Sequence, residues 1–532
     1  MPEGRNRRRL AIAAVGVVLL GTASCTGHQA SPARSSVSAA RSSSLVVSIA
    51  NGKIRGKKVG SVDEYLGLPY AAPPVGPLRW KPPQPLPGGW DGIRSATKFA
   101  PHCPQSKGVF GKPSTSEDCL YLNVYAPAGH RASGMPVMMW IHGGALVAGE
   151  SNDYDPSALV ADGVIVVTIN YRLGALGFLA DSALAAHKGG PSGDYGLMDQ
   201  QAALRWVQAN IGSFSGNRRN VTIFGESAGG QSTLLQLASP GARGLFAKAI
   251  AESGGYALKP ATLAKAEAAG KAFAAKVGCA SNTAQCLRKV PVSTILADQS
   301  QTGASADIDG LVLPRPLETA LTSGKFNRVP VIDGSNHDEW RLFVALAVFE
   351  GHQVTAANYR SMIASTLRVS DQIAGVIAKQ YPLKRYPSPA LALSTLGTDA
   401  IFSCPTLKLD QEMSKYVPTF AYEFNDEKAP APYPSPGFPY GATHASELQY
   451  LFTLPNSTPG LMSLPQRRLA AAMKQEWTGF AKSGVPSASG VPAWPGFNGA
   501  SQTMMSLIPP TPKPETNFAA EHRCAFWALG GD

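Results

Sequence analysis

The chain has 532 residues, 44% of them hydrophobic and only 16% charged, a composition that fits a folded protein with a large core and excludes a disordered or fibrous one. Its net charge is +12, but the first 44 residues hold six Arg and one Glu, which leaves +7 for all the rest. With no dense Lys/Arg block in that remainder, a nucleic-acid partner is not indicated, whereas a weakly anionic surface is allowed.

The chain opens like an export signal. Arg5, Arg7, Arg8 and Arg9 form a positive start, and Leu10 to Gly21 form an apolar run too short to span a bilayer. That run ends in Thr22-Ala-Ser-Cys25, similar to a bacterial lipobox although Thr22 stands where Leu or Val is usual. Residues 1–24 are therefore expected to be removed and Cys25 to carry lipid, the alternative being simple secretion. The Ser/Ala-rich segment 25–44 reads as a flexible tether, and 45–532 as a single domain without internal repeats.

Beyond the tether, Leu45 to Ile54 predicts a short strand and turn, and proline-dense Tyr65 to Trp90 predicts loop. Asp118 to Tyr125 alternates as a strand that begins at a cysteine. Val137–Ile141 and Val164–Asn170 read as strands buried on both faces. Leu197 to Ile211 has helical spacing, with Leu204, Val207 and Ile211 on one stripe. Strands follow at Val221–Phe224, Ala247–Ala251, Val329–Asp333 and Thr419–Phe424, with helical segments between them and a late amphipathic helix over Leu464–Ser483. Strands alternating with helices predict an α/β fold with one doubly wound sheet and helical insertions over its C-terminal edge.

Val221-Thr-Ile-Phe-Gly-Glu-Ser-Ala-Gly-Gly230 organises the rest. A strand runs straight into Gly-x-Ser-x-Gly and then into a helix-compatible run, the pattern of a nucleophile elbow that lifts the Ser227 hydroxyl clear of the sheet. An ordinary βα turn would fit the same five residues, so the context has to decide. Gly225 and Gly229 are needed because a side chain there would crowd the neighbouring strand or helix. A serine nucleophile needs a base and an acid to orient it. His142 precedes a glycine pair at a strand end, beside a candidate oxyanion loop of Gly143, Gly144 and Ala145. His444, late in the chain and just before a helix, suits the base by chain order. Asp338 and Glu339 follow a strand at a suitable distance for the acid, and spacing alone does not separate them. The amide of Ala228 would complete the oxyanion hole.

Seven cysteines fit an exported protein. With Cys25 lipidated, Cys103, Cys119, Cys279, Cys286, Cys404 and Cys524 could form three disulfides in any of fifteen pairings. No cysteine or histidine spacing suggests a metal site, and no cofactor is expected.

From about Leu45 onward the chain resembles the type-B carboxylesterase and cholinesterase family. Three stretches carry the likeness. The first is Glu117-Asp-Cys-Leu-Tyr-Leu-Asn-Val-Tyr-Ala-Pro127. The second is Gly196-Leu-Met-Asp-Gln-Gln-Ala-Ala-Leu-Arg-Trp-Val-Gln-Ala-Asn-Ile211, continuing to the elbow, and the third is Gly441-Ala-Thr-His-Ala-Ser-Glu-Leu-Gln-Tyr-Leu-Phe452. The resemblance implies an α/β-hydrolase fold, a triad of Ser227, Glu339 and His444, an oxyanion hole of Gly144, Ala145 and Ala228, and disulfides Cys103–Cys119, Cys279–Cys286 and Cys404–Cys524. It also implies a small-molecule ester as substrate. The chain departs from the family pattern at Trp340, at Ala145 and at Phe214-Ser-Gly216, none of which removes a catalytic atom. A non-catalytic adhesion protein is the rival reading, but such relatives lack the serine that this chain keeps. The loop Pro104–Asp118 holds Phe110 as its only aromatic, plus Lys107 and Lys112, so neutral esters of short or medium acyl chain are expected rather than choline esters, unless Trp90 or Trp340 substitutes.

Overall fold

The computed structural model describes residues 45–129, 133–185, 190, 192–281, 283–299, 305–431, 433–455 and 461–529. The expected signal segment 1–24, Cys25 and the tether 25–44 lie outside the described residues. Among the described residues, no helix is long and apolar enough to cross a membrane.

An eleven-stranded mixed sheet forms the centre. Its strands are β1 (Lys57–Val59), β2 (Val62–Pro69), β3 (Tyr121–Pro127), β4 (Met135–Ile141), β5 (Ile165–Ile169), β6 (Gly216–Glu226), β7 (Lys248–Glu252), β8 (Val331–Asn336), β9 (Thr419–Phe424), β10 (Met504–Leu507) and β11 (Lys513–Glu515). The spatial order is β11-β10-β9-β8-β7-β6-β4-β5-β3-β2-β1. Every pair from β5 through β4 and β6 to β10 is parallel, while β1–β2, β2–β3, β3–β5 and β10–β11 are antiparallel. The doubly wound centre is thus flanked by antiparallel edges. β2 occupies part of the stretch expected to be loop, because a register shift between Tyr65 and Leu68 lets both buried residues pair with β3 across Gly67.

The central strands are buried on both faces, which is why they read as continuous apolar runs. Val137, Met139 and Ile141 of β4 join one core with Leu204 and Val207, while Met138 and Trp140 join Phe224, Ile332, Tyr422 and Trp477 on the opposite face. The helices that matter for the site are α1 (Tyr195–Asn210), α2 (Ala228–Ala238), α3 (Arg341–Phe349) and α4 (Leu464–Ser483). Helix α4 begins with a capping box between Ser463 and Gln466 and ends at Gly484 in a left-handed conformation, φ 84°. Its Trp477 is fully buried and donates to Glu252 Oε1 at the end of β7, 2.9 Å away. The helices between β8 and β9 build the C-terminal insertion and include a π-helical turn, Thr398–Ser403. Disulfides join Cys103 to Cys119, Cys279 to Cys286 and Cys404 to Cys524.

Candidate active site

β6 ends in Gly225-Glu226, and α2 begins at Ala228, so Ser227 carries the whole reversal with φ 55° and ψ −122°. A non-glycine residue holds such a conformation only when its surroundings impose it. They do so here through two backbone bonds: Ser227 N–H donates to Glu252 O on β7, and Ser227 O accepts from Gln231 N–H, both at 2.8 Å. The glycines are required by proximity. A Cβ on Gly225 would lie 2.5 Å, and one on Gly229 1.9 Å, from the Ile141 carbonyl oxygen of β4. The elbow is therefore wedged against the strand that leads into the candidate oxyanion loop.

That loop follows Ile141 directly. Gly144 has φ 103° and Ala145 φ 56°, and the amides of Val147 and Ala148 both close back on Gly144 O at 3.0 Å. A Cβ on Gly143 would meet Ser227 Cβ at 3.2 Å and the Glu226 carbonyl at 2.9 Å, so loop and elbow touch. His142 does not face the serine. Its ring stacks on Tyr171 at 4.5 Å, its Nδ1 bonds Gly143 O at 2.8 Å, and burial pulls it down to about 4, a neutral prop under the loop.

The two carboxylates that spacing left open are separated by what they touch. Asp338 accepts from Ala442 N–H at 3.0 Å and pairs with Arg341 at 2.8 Å. Glu339 is fully buried, accepts from Asn336 N–H through Oε1 at 2.8 Å, and meets His444 Nδ1 through Oε2 at 2.5 Å. The other ring nitrogen, His444 Nε2, lies 3.2 Å from Glu226 Oε1. A Ser227–His444 hydrogen bond is not formed in this geometry. In unliganded sites that contact is often long and tightens only with substrate bound.

Buried acids surround His444. Burial pushes Glu226 up to about 7, the His444 ring pulling the other way and Glu339 adding to the rise. Burial also holds Glu252 at about 8 and raises Glu447, which takes a hydrogen bond from Asn336 Nδ2. For His444 burial works against the charged ring, yet Glu226 and Glu339 outweigh it and the net shift is upward. Glu226 occupies the variable position of Gly-x-Ser-x-Gly, which a motif reading passes over. Glu447 stands within the stretch around His444, where nothing in the local pattern assigns it a role.

Ser227 and His444 line one cavity of about 340 Å³ together with Gly144, Ala145, Phe343 and Tyr433. Phe343 and Phe402 flank the base at ring distances of 5.1 Å, and Phe402 is set there by the π-helical turn. Trp340, next to Glu339, packs tilted against Phe343 with ring centroids 4.5 Å apart and lies over Gly397, where a Cβ would meet its ring at 2.3 Å. That cleft explains how a tryptophan fits where the family pattern has glycine. Lys112 also reaches the cavity, but its Nζ sits 2.9 Å from Glu150 Oε1 and 2.8 Å from Asp153 Oδ1. Its charge is therefore matched within the wall, which corrects the expectation that it repels a cationic substrate. The partners come from 38 and 41 residues further on, out of reach of a local reading.

The family model described as the carboxylesterase family matches residues 43–527. Among curated relatives, the chain is similar to the fumonisin B1 esterase of Sphingopyxis macrogoltabida, 35% identical over 481 residues, covering 86% of each chain. It is 34% identical to the para-nitrobenzyl esterase of Bacillus subtilis (strain 168), covering 87% of this chain and 94% of that one. Over 98% of its length and 96% of the other's, it is 33% identical to the cocaine esterase of Homo sapiens.

Proposed function

The chain belongs to the carboxylesterase family, an α/β-hydrolase acting as a serine ester hydrolase, and from that premise we propose which residues carry its reaction. Ser227 is the nucleophile, His444 the general base and Glu339 the acid that orients it. The observation that carries this assignment is the 2.5 Å Glu339–His444 contact on a cavity whose wall also holds Ser227.

Ester carbonyl carbon is attacked by Ser227 Oγ while His444 Nε2 takes the hydroxyl proton. Glu339 fixes the tautomer by accepting from Nδ1 and stabilises the imidazolium that forms. The tetrahedral oxyanion is held by the amides of Gly144, Ala145 and Ala228, on a loop and an elbow that lie against each other. Collapse returns the proton to the leaving alcohol and leaves an acyl-enzyme, which water hydrolyses with the same histidine as base. Ala145 keeps its amide donor, and its methyl narrows the acyl side. Neutral esters of short or medium acyl chain are the expected substrates, since the aromatic wall supplies apolar contact and the nearby Lys112 is already paired.

Ser227→Ala should remove turnover by several orders of magnitude and abolish labelling by an organophosphate, with unchanged circular dichroism. Turnover retained by the purified variant refutes the assignment. Export by the signal at 1–24 and anchoring through lipid on Cys25 belong to the same reading, supported by the apolar run that ends at that cysteine. Cys25→Ala should then move the protein from the membrane fraction to the medium. A wild-type protein already soluble in fractionation refutes the anchor.

A further inference from the structure

The loop that carries Glu339 has a second neighbourhood. His337 is pinned by its backbone N–H to Phe424 O at 3.0 Å, and its ring lies 5.6 Å from the ring of His522, in the segment after β11. His522 Nδ1 is 2.7 Å from Asp399 Oδ1 and its Nε2 is 2.6 Å from Glu423 Oε1. His337 Nε2 is 3.1 Å from Glu521 Oε1. Its Nδ1 lies 3.2 Å from Asp338 Oδ1, yet it is buried and out of alignment for a hydrogen bond. Glu515 sits against Glu423, with Oε1 buried and unpartnered.

Two imidazoles are thus surrounded by five carboxylates. The guanidinium groups nearby attach to the outer two: Arg341 to Asp338 at 2.8 Å and Arg523 to Asp399 at 3.4 Å. Among the described residues, no Lys or Arg pairs with Glu423, Glu515 or Glu521; besides the imidazoles, Glu423 accepts from Asn425 Nδ2 at 2.9 Å and Glu521 from Asn517 Nδ2 at 2.8 Å. His522 has Asp399 hydrogen-bonded behind Nδ1 and Glu423 before Nε2, while His337 has Glu521 before Nε2 and Asp338 beside Nδ1 without a hydrogen bond. Metal-binding histidines are oriented in that way, a carboxylate behind the ring fixing its tautomer and aim. One ring nitrogen from each histidine and one oxygen of Glu423 already lie within 4.8 Å of one another.

We propose that His337, Glu423, His522 and Glu521 bind one divalent first-row ion of the zinc class, with Glu515 beside Glu423 as a further oxygen donor. Mixed imidazole and carboxylate donors favour such ions over calcium or magnesium, which take oxygen ligands. Tetrahedral zinc with bonds of about 2.0–2.1 Å sets its donors about 3.3 Å apart, so the widest donor pairs must close by up to about 1.5 Å while the Glu423–His522 pair, now at 2.6 Å, opens. His337 and Glu521 can supply this by side-chain rotation, being 23% and 44% exposed, and they also open the path from solvent. Glu423 and His522, at 1% and 3%, form the buried half. The bound ion would join the loop of the triad acid to β9 and to the segment after β11. No cysteine or close histidine spacing announces it, because its ligands are spread along the chain from His337 to His522.

The test uses full-length, untagged protein stripped with a chelator and titrated with Zn²⁺ by calorimetry, with thermal melting in parallel. The expected result is one saturable equivalent, a melting temperature that rises with Zn²⁺ and not with Ca²⁺, and at least about tenfold weaker binding in His337→Ala and in Glu521→Gln. Glu521 is half-exposed, so its variant decides the matter should His337→Ala not fold. His444→Ala should bind like wild type. No saturable equivalent in wild type, or binding unchanged in Glu521→Gln and lost in His444→Ala, overturns the site.

Discussion

Glu226 Oε1 lies 3.2 Å from His444 Nε2, the nitrogen proposed to take the serine proton, and its removal should be legible in the pH profile. At that separation a full charge contributes about 1.3 kcal/mol at the dielectric of water and about 5 kcal/mol at an effective dielectric of 20. The lower figure corresponds to about one pH unit on the histidine. The upper figure is not reached, since burial pushes Glu226 itself up to about 7 and it is charged over only part of the working range. The sign is fixed by the chemistry: the base must be neutral to accept the serine proton, and Glu226 stabilises its charged form. Glu226→Gln keeps the side-chain shape and removes the charge, so the acid limb of kcat/KM should move to lower pH by about one to two units. The assay is hydrolysis of an uncharged nitrophenyl ester at subsaturating concentration across the acid limb and through neutrality, with the limb fitted as a property of the coupled pair. A limb that stays in place or moves upward refutes the electrostatic account of this site.

Two further outcomes follow from packing and charge. Gly397→Ala drives a Cβ into the Trp340 ring and should cost about 1–3 kcal/mol, which is about 1–3 °C of melting temperature for a chain this size. In a Trp340→Gly background the same change should cost less than about 0.5 kcal/mol, and equal costs in the two backgrounds would show that the ring and the glycine do not constrain each other. Acetylthiocholine should be hydrolysed at least about tenfold less efficiently than an uncharged acetate ester. The reason is no longer Lys112, but that both candidate tryptophans are engaged elsewhere: Trp90 with the Lys53 carbonyl and Arg94, and Trp340 over Gly397. Comparable kcat/KM values would sink that expectation.

What can be read ahead of the structure follows from how local each signal is. The elbow, the Gly-Gly loop and the central strands are written in adjacent residues, and they stand where periodicity puts them. β10 and β11 escape a sequence reading because four residues at Met504–Leu507 and three around Pro514 are too short to establish a period. β2 is hidden by Gly67 and Pro69, both breakers in isolation, although pairing with β3 overrides them. Spacing cannot distinguish Asp338 from Glu339, since the choice is made by Ala442 and Arg341 on one side and by His444 on the other. The compensation of Lys112 and the His337–His522 cluster depend wholly on tertiary proximity.

The Cys404–Cys524 bond gives this active site an order of assembly in time. By the point at which His444 has been synthesised, Ser227, Glu339 and His444 are all present, but Cys524 is still 80 residues away. Phe402, which flanks the base, sits two residues before Cys404, and His522, clamped between Asp399 and Glu423, sits two before Cys524. The wall behind His444 is consequently latched after the proposed triad has been synthesised, and covalently only where thiols can be oxidised. A nascent or clipped chain that stops short of Cys524 would hold every reactive group and still lack its backing. Closure of that wall therefore waits on the segment around Cys524, and its covalent latch on oxidation of the two thiols.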